Sequence, residues 1–294
     1  MSQRVLVVGD VMTDVIVMPE GPIIKGSDRR AKVRSRPGGS GANQAVWLGA
    51  MGADVLFAAR VGADDKPACE NYFRGQGVVP VLAGDKEQPS GVLVTIVDPD
   101  GERSFLTDRG ANLNLCSDDL DESLLDAVGM VMVSGYSLFE PGPRAAVQAL
   151  FAAARARNIA VAVDPASVGF LAEVGPADFL DWTRGATAIF ANESEAETLT
   201  GVTGPVAQMQ ALGAHYDLVI IKRGGAGAAI GGRDGVRVAL PAEVVAVVDT
   251  TGAGDAFAAG FIAAHLSGMD EAAALARAIS AGAKAVQSIG GQPD

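Results

Sequence analysis

The sequence contains few of the residues on which several common kinds of active site depend. Among its 294 residues are two cysteines, Cys69 and Cys116, and two histidines, His215 and His265. Two cysteines without C-x-x-C spacing exclude a disulfide framework and a cysteine zinc site, and they indicate a reducing, cytoplasmic location. So few histidines also disfavour histidine-based metal or triad chemistry.

Positive charge is scarce as well, with 23 Lys and Arg against 35 Asp and Glu and a net charge of −12. Binding to nucleic acid or anionic lipid requires clustered Lys and Arg. The sequence therefore predicts neither partner, and an anionic substrate would need local amides and a metal ion to overcome the overall field. The first apolar run ends at Asp10, so it predicts a strand rather than a signal peptide or a membrane span.

Hydrophobic residues, by contrast, make up 49% of the chain, and short apolar runs alternate with alanine-rich segments. The runs predict strands at 5–9, 55–62, 130–135, 159–164, 188–192, 218–222 and 244–249, and residues 227–241 predict an antiparallel hairpin. The alanine-rich segments predict helices at 41–52, 143–158 and 193–201, and two more within 254–288. This alternation is typical of an α/β fold with a mostly parallel, doubly wound sheet flanked by helices.

Four other segments alternate apolar and polar residues, as strands with one buried face do. They lie at 11–18, 33–37, 91–97 and 103–108, and a turn over 98–102 joins the last two. We interpret them as a small antiparallel β-sheet that covers a site as a lid. The alternative is an edge of the main sheet without a role in function.

A glycine-rich turn, "DTTGAGDAF" at 249–257, precedes a predicted helix. Amides at a helix start lack partners within the helix, and with the helix dipole they favour an anion. Asp255 lies among them and could simply cap the helix. The long small-residue run before it favours a general base, which takes the proton of a hydroxyl while the amides bind the phosphoryl group that this hydroxyl attacks.

Two further glycine clusters lie at 38–45 ("GGSGANQA") and 222–229 ("KRGGAGAA"). The cluster at 222–229 and the turn at 249–257 match neither the P-loop nor the dinucleotide fingerprint. In the first cluster the amides of Gly39 and Gly41 and the side chain of Asn43 suit the hydroxyls of a polyol; alternatively, these groups only saturate a helix start.

Two signatures, "GGSGANQAVWLGAMGADVLFAARVGADD" at 38–65 and "DTTGAGDAFAAGF" at 249–261, resemble the ribokinase-like family of carbohydrate and nucleoside kinases, also called the PfkB family. "NESE" at 192–195 is similar to that family's N-x-x-E element. The resemblance covers nearly the whole chain. It implies a three-layer α/β core (residues 1–10, 38–88 and 110–294), a β lid (residues 11–37 and 89–109), and transfer of the γ-phosphoryl group of ATP to a sugar hydroxyl with Mg²⁺.

The resemblance also implies a role for particular residues. Asp255 would be the general base, and the anion hole would comprise Gly252, Ala253 and Gly254. The sugar would be bound by Asp14, Gly39, Ser40, Asn43 and Arg109, and the nucleotide by Asn192, Glu195, Lys222, Gly225 and Gly227. Glu195 would organise magnesium. A monovalent cation such as K⁺ would be held by Asp249, Thr251 and carbonyls of the loop 288–293.

Two departures leave the sugar open: Ser40 replaces a lysine of true ribokinases, and Met12 replaces an asparagine. A nucleoside kinase for adenosine or pseudouridine is an alternative, although the aromatic residues Phe105, Tyr136 and Phe139 are scattered along the chain. A 2-keto-3-deoxy sugar-acid kinase is another, in which Arg109 would pair with the substrate carboxylate rather than with an acid of the protein. A non-catalytic sugar or nucleotide sensor is the alternative from a different class.

Apolar positions on the lid strands, among them Val15, Val17 and Phe105, also suggest a homodimer in which two lids clasp. The expected partners are thus a small sugar, ATP and a second copy of the chain.

Overall fold

The computed structural model describes residues 4–98 and 103–293, which form two β-sheets and nine α-helices. The strands are β1 (Arg4–Val8), β2 (Met12–Pro19), β3 (Ala31–Gly38), β4 (Asp54–Gly62), β5 (Val78–Asp85), β6 (Gly91–Val97), β7 (Arg103–Asp108), β8 (Val128–Ser134), β9 (Ala160–Asp164), β10 (Ala188–Asn192), β11 (Leu218–Lys222), β12 (Ala228–Gly232) and β13 (Gly235–Leu240). The helices are α1 (Ser40–Ala50), α2 (Lys66–Gly75), α3 (Pro141–Ala156), α4 (Val168–Val174), α5 (Pro176–Trp182), α6 (Glu193–Thr200), α7 (Pro205–Leu212), α8 (Ala253–Leu266) and α9 (Glu271–Ala285).

The larger sheet has nine strands in the order β13-β12-β11-β10-β9-β8-β1-β4-β5. The strands from β11 to β5 are parallel, and the hairpin β12–β13 adds an antiparallel edge. Successive residues of a strand point to opposite faces, so Val5 and Val7 pack into one hydrophobic cluster while Leu6 and Val8 pack into another. Both faces of the sheet are therefore covered, which confirms the three-layer α/β fold.

The helices divide between these two faces. Buried side chains of α1, α2, α8 and α9 belong to the first cluster, and those of α3 to α7 belong to the second. Three neighbouring parallel strands, β9 to β11, end on the polar residues Asp164, Asn192 and Lys222. Ligands of open α/β sheets bind at the carboxyl ends of the strands, so the fold itself points to this edge.

Six of the predicted strands are confirmed as β1, β4 and β8 to β11, and the hairpin is confirmed as β12–β13. The strand predicted at 244–249 is wrong, because residues 241–250 adopt no regular structure. Valine-rich sequence favours a strand only where a neighbouring strand can pair with it. The segment instead passes along a cleft, with Val244 fully exposed. β5 was not predicted.

The smaller sheet has the order β3-β2-β6-β7, and apart from Gly38 at the end of β3 its strands fall within the ranges predicted for a lid. Its two outer pairs, β2–β3 and β6–β7, are antiparallel as expected, but β2 and β6 run parallel. Two strands of the main sheet, β4 and β5, intervene in sequence between β2 and β6 together with β3 and two helices, so no tight turn forces β2 and β6 to be antiparallel. That these strands cover a site as a lid and form a dimer interface stays a prediction.

In the turn predicted over 98–102, the residues after Asp98 lie outside the described part of the chain. Among the described helices, none has both the length and the apolar character needed to cross a bilayer.

Candidate active site

Asp255 lies in the first turn of α8, where the first turn of α1 meets it. Three side chains of α1 donate hydrogen bonds to its carboxylate: Ser40 Oγ to Oδ1 (2.7 Å), Gln44 Nε2 to Oδ1 (3.2 Å) and Asn43 Nδ2 to Oδ2 (3.0 Å). Residues spaced by three and four positions share one face of a helix, which is why three donors of α1 reach one carboxylate. We call these four residues the Asp255 cluster.

The pKa of Asp255 is raised to about 7, first because burial penalises its charged form and second because Asp164 is near. The donated bonds of Asn43 and Ser40, and the charge of Lys222, lower the pKa and oppose that rise. The carboxyl group therefore changes its protonation state near neutral pH, as a general base must.

The loop before α8 brings backbone amides close to this carboxylate. Gly252 has a φ of 72°, and a Cβ there would overlap the backbone of Gly291, so only glycine fits. The first bond of the helix is donated by the Ala256 amide to the Gly252 carbonyl (2.9 Å). The amides of residues 253–255 thus lie outside the helical ladder, although that of Ala253 makes a long bond to the Thr250 carbonyl (3.3 Å).

A second group of charges lies beside the same helix start. The Nζ of Lys222 donates to Oδ2 of Asp164 (2.7 Å), and the two side chains are only 13% and 6% exposed. A Cβ at Gly254 would lie 3.2 Å from this Nζ, so glycine allows the ammonium group to approach the α8 terminus. We call Asp164, Glu195 and Lys222 the Lys222 cluster.

Glu195, 3% exposed, belongs to a reciprocal capping box at the start of α6. Its amide donates to Asn192 Oδ1, and its Oε2 accepts from the Asn192 amide, both at 2.8 Å. Burial raises the pKa of Glu195 to about 7, Lys222 lowers it and Asp164 raises it. Burial alone would lower the pKa of Lys222, but Asp164 and Glu195 raise it above its usual value.

Both clusters open into one cleft of about 760 Å³, within the size range of small-molecule sites. Its lining includes Gly225 and Gly227 of the predicted nucleotide loop, together with charged residues of both clusters. Six apolar residues line it as well, and we call them the apolar wall: Val244, Val245, Val247, Phe257, Ile279 and Ala283. The cleft thus offers both apolar and charged groups, as a nucleotide site requires.

Asp14 lies on β2 opposite Arg36 of β3 and is 8% exposed. Burial, followed by the charges of Asp10 and Asp249, raises the pKa of Asp14 to about 6. Its Oδ1, like Oδ1 of Asn43, is buried without a hydrogen-bond partner among the described residues. Buried acceptors without partners are costly, so both atoms suit a ligand that brings hydroxyl donors.

Arg109 is accounted for by contacts within the protein. Its NH1 lies 3.8 Å from Asp10 Oδ2, and its guanidinium lies 4.6 Å from the centre of the Tyr136 ring. The expected alternative, a salt bridge with an acid of the chain, is therefore the arrangement observed.

The residues that the resemblance assigned to K⁺ come together but are already hydrogen-bonded. Asp249 Oδ1 accepts from the amide and hydroxyl of Thr251 (3.0 and 2.8 Å), and Oδ2 accepts from the Gly290 amide (3.0 Å). In the loop itself, carbonyls accept from an arginine and from a tryptophan. Oxygens that already accept hydrogen bonds from these donors do not fit a potassium site.

The comparison with known proteins agrees with this geometry. A family model described as pfkB family carbohydrate kinase matches residues 2–294. The chain belongs to this family. Ribokinase from Mus musculus is 30% identical over 308 residues, which cover 99% of this chain and 91% of that protein. The resemblance inferred from the two signatures is thereby confirmed, as is the expected phosphotransferase family.

A second relative is the bifunctional protein HldE of Pseudomonas fluorescens, 31% identical over 285 residues, or 90% of this chain and 55% of HldE. The chain spans a little over half the length of the HldE proteins that it matches. Among solved structures, adenosine kinase from Sinorhizobium meliloti has a TM-score of 0.86 at 23% identity and covers 100% of this chain and 96% of its own. A putative ribokinase II of E. coli in complex with ATP and Mg²⁺ also has a TM-score of 0.86, at 23% identity, over 99% and 94% of the chains. These structures share the pfkB-family fold.

The structure brings most of the predicted site residues to one edge of the sheet, and it adds two that sequence reasoning missed. Gln44 and Asp164 were not predicted, although each carried a signal: Gln44 follows Ser40 by one helical turn, and Asp164 ends a predicted strand. Ser40 and Asn43 donate to Asp255, a contact that was not anticipated, so their contact with the sugar stays a prediction. Gly39, also assigned to the sugar, is the N-cap of α1 with a φ of 97°.

Proposed function

We propose that the chain transfers the γ-phosphoryl group of ATP to a hydroxyl group of a sugar. The observation that carries this proposal is the Asp255 cluster, in which a carboxylate with a pKa near 7 lies beside helix-terminal amides and Lys222 in one cleft. A structural helix cap needs neither three side-chain donors nor a neighbouring ammonium group. A site for in-line phosphoryl transfer uses both.

In the proposed reaction, the sugar oxygen attacks the γ-phosphorus and the bond from that phosphorus to the bridging β-oxygen breaks. The proton of the hydroxyl passes to Asp255, and ADP leaves. Charge on the transferring phosphoryl oxygens is stabilised by the amides of Gly252, Ala253 and Gly254 and by Lys222. Asp255 therefore takes the proton of the attacking oxygen, and the amides bind the transferring phosphoryl group.

The base of ATP would lie against the apolar wall and the phosphates near Gly225 and Gly227. Mg²⁺ bound to the phosphates would neutralise their charge. Asp164 and Glu195 are the carboxylates that fit it, since both are hard oxygen donors beside Lys222. Among the described residues no group of three or more His, Cys, Asp or Glu is arranged to hold a metal, which agrees with an ion bound mainly by phosphate and water.

A polyhydroxy acceptor is supported by the buried acceptors Asp14 Oδ1 and Asn43 Oδ1, which lack partners among the described residues. A ribose-like or fructose-like monosaccharide would donate hydroxyl hydrogens to both. The similarity to mouse ribokinase supports ribose as one of the candidates.

A nucleoside is the second candidate, because two of the three aromatic residues named above, Tyr136 and Phe139, lie together in space. Tyr136 lies with its ring centre 6.1 Å from that of Phe139 and 5.8 Å from that of Phe170, and Tyr136 lines the cleft. An aromatic group of this kind can stack on a base. Phe105 lies on β7 of the smaller sheet.

A panel of acceptors with coupled detection of ADP tests the proposal. Ribose, fructose, a 2-keto-3-deoxy sugar acid, adenosine and pseudouridine are each supplied with ATP and Mg²⁺. We expect a monosaccharide to raise ADP release well above the rate without acceptor. Binding of ATP without turnover on any acceptor would contradict the proposal and favour a sensor.

A further inference from the structure

The loop at residues 286–291, which follows α9, touches three parts of the site at once. Its Gly290 amide donates to Asp249, and Gly291 packs against Gly252 of the proposed anion hole. The Gly291 carbonyl accepts from the indole of Trp47 on α1 (2.9 Å). We call residues 286–291 the C-terminal loop. Any charge held at this loop therefore acts on the residues that bind the phosphoryl group.

An arginine of the smaller sheet reaches the same loop. Arg36, on β3, donates from NH1 to the carbonyl oxygen of Ile289, and its side chain lies against Gly290. Arg36 is half-buried, whereas Arg34, two positions earlier on the same strand, is exposed. The contact is thus particular to Arg36 and is not a general property of the basic strand.

The oxygens of the loop that would bind a monovalent cation are engaged by donors. The Val286 carbonyl accepts from the amides of Val248 (2.7 Å) and Asp249 (3.2 Å), the Ile289 carbonyl accepts from Arg36, and the Gly291 carbonyl accepts from Trp47. A potassium ion would need several of these oxygens to turn towards it. It would also lie a few ångströms from the guanidinium group, which would repel it.

We propose that Arg36 supplies the positive charge at the C-terminal loop that a monovalent cation would otherwise supply, so that the enzyme needs no potassium. The planar guanidinium group carries a positive charge and donates in fixed directions, so it can hold the Ile289 carbonyl without an ion. Because Arg36 belongs to β3, the charge comes with the smaller sheet. This inference rests on the proposed kinase function, but its binding test does not.

The wild-type protein provides the first test. Thermal unfolding is followed in tetramethylammonium chloride and in potassium chloride at equal ionic strength, and turnover is measured in the same two salts. We expect the same unfolding temperature and rates within about twofold, since no ion site forms. A saturable rise of the unfolding temperature with K⁺, or activation by K⁺ of about tenfold or more, would overturn the proposal.

The variant Arg36→Met provides the second test, since it keeps an unbranched side chain and removes the charge. We expect turnover in tetramethylammonium to fall by at least about tenfold. Potassium should then raise the turnover of the variant by at least about fivefold. It should also raise the unfolding temperature of the variant, because the Ile289 carbonyl is released from Arg36 and can bind the ion. The matched control is Arg34→Met, which should behave as the wild type in both salts.

The outcomes separate this inference from the proposed function. If no acceptor is phosphorylated, the kinase proposal fails, but the unfolding temperatures in the two salts still test Arg36. If Arg36→Met has wild-type turnover, or loses turnover and responds to K⁺ in neither measurement, Arg36 does not take the place of a cation.

Discussion

The Asp255 cluster and the Lys222 cluster lie at the same helix terminus, and each contains a carboxyl group with a pKa near 7, yet they are stabilised differently. Asp255 is surrounded by neutral donors, Ser40, Asn43 and Gln44. Glu195 and Asp164 face the ammonium group of Lys222 instead. Neutral hydrogen-bond donors stabilise the Asp255 carboxylate, whereas the charge of Lys222 stabilises Asp164 and Glu195.

This difference has a chemical meaning. Neutral donors orient a carboxylate but leave it able to accept a proton, which a general base requires. A buried ammonium group lowers the pKa of a neighbouring carboxyl group, as Lys222 does for Glu195, and it can turn to phosphate when an anion enters. The two clusters can therefore be told apart by what each one loses on substitution.

Asp255→Asn should give the largest effect. It keeps the size of the side chain and removes the base, so kcat should fall by about 10²–10⁴. Calorimetry should show ATP affinity little changed, because the amides and Lys222 remain. Wild-type turnover in this variant would remove Asp255 from the mechanism.

Lys222→Met should give the next largest effect, and it acts on the other cluster. We expect kcat/KM for ATP to fall about 10²-fold, since a charge directed at the transferring phosphate is lost. Lys284→Met, an exposed lysine on α9, is the control and should be near wild type. If the two variants lost the same activity, Lys222 would have no particular role.

Because Lys222→Met leaves Asp164 buried without its counter-ion, a loss of activity could reflect misfolding. The double variant Lys222→Met with Asp164→Asn removes both charges and should fold better than the single variant. Thermal unfolding of both, beside the kinetics, separates the loss of catalysis from the loss of the fold.

Asp14 lies outside both clusters, so Asp14→Asn should affect only the binding of the acceptor. The KM for the sugar should rise about tenfold, the cost of one charge-assisted hydrogen bond. The KM for ATP should stay within about twofold. Steady-state kinetics with each substrate varied in turn checks this, and the opposite pattern would move Asp14 to the nucleotide.

Ser40→Ala should give the smallest effect and sharpens the account of the Asp255 cluster. The base works in its ionised form, so kcat/KM should rise with pH through an apparent pKa of about 7 and then level off. Ser40 donates to the ionised form and lowers that pKa, so its removal should shift the acid limb upward by about one pH unit. If the acid limb stayed in place or moved to lower pH, it would belong to a group other than Asp255.

Much of the fold could be predicted because the apolar runs are short and their ends are marked by Gly, Asp or Asn. β10 and β11 match their predicted bounds of 188–192 and 218–222. The segment 244–249 shows the limit of that reasoning, since its valines favour a strand but it pairs with no strand among the described residues. Propensity describes a residue, whereas a strand also requires a partner.

The sequence by itself determined the family, the layered fold and the position of the glycine-rich helix start with Asp255. Local pattern carries these features, because periodicity and a turn before a helix depend on neighbours in the chain. Only the tertiary structure decided which groups meet across the chain: Gln44 with Asp255, Asp164 with Lys222, and Arg36 with the Ile289 carbonyl. Such contacts arise from packing between distant elements, and the charge and pKa of a side chain follow from those neighbours rather than from its place in the sequence.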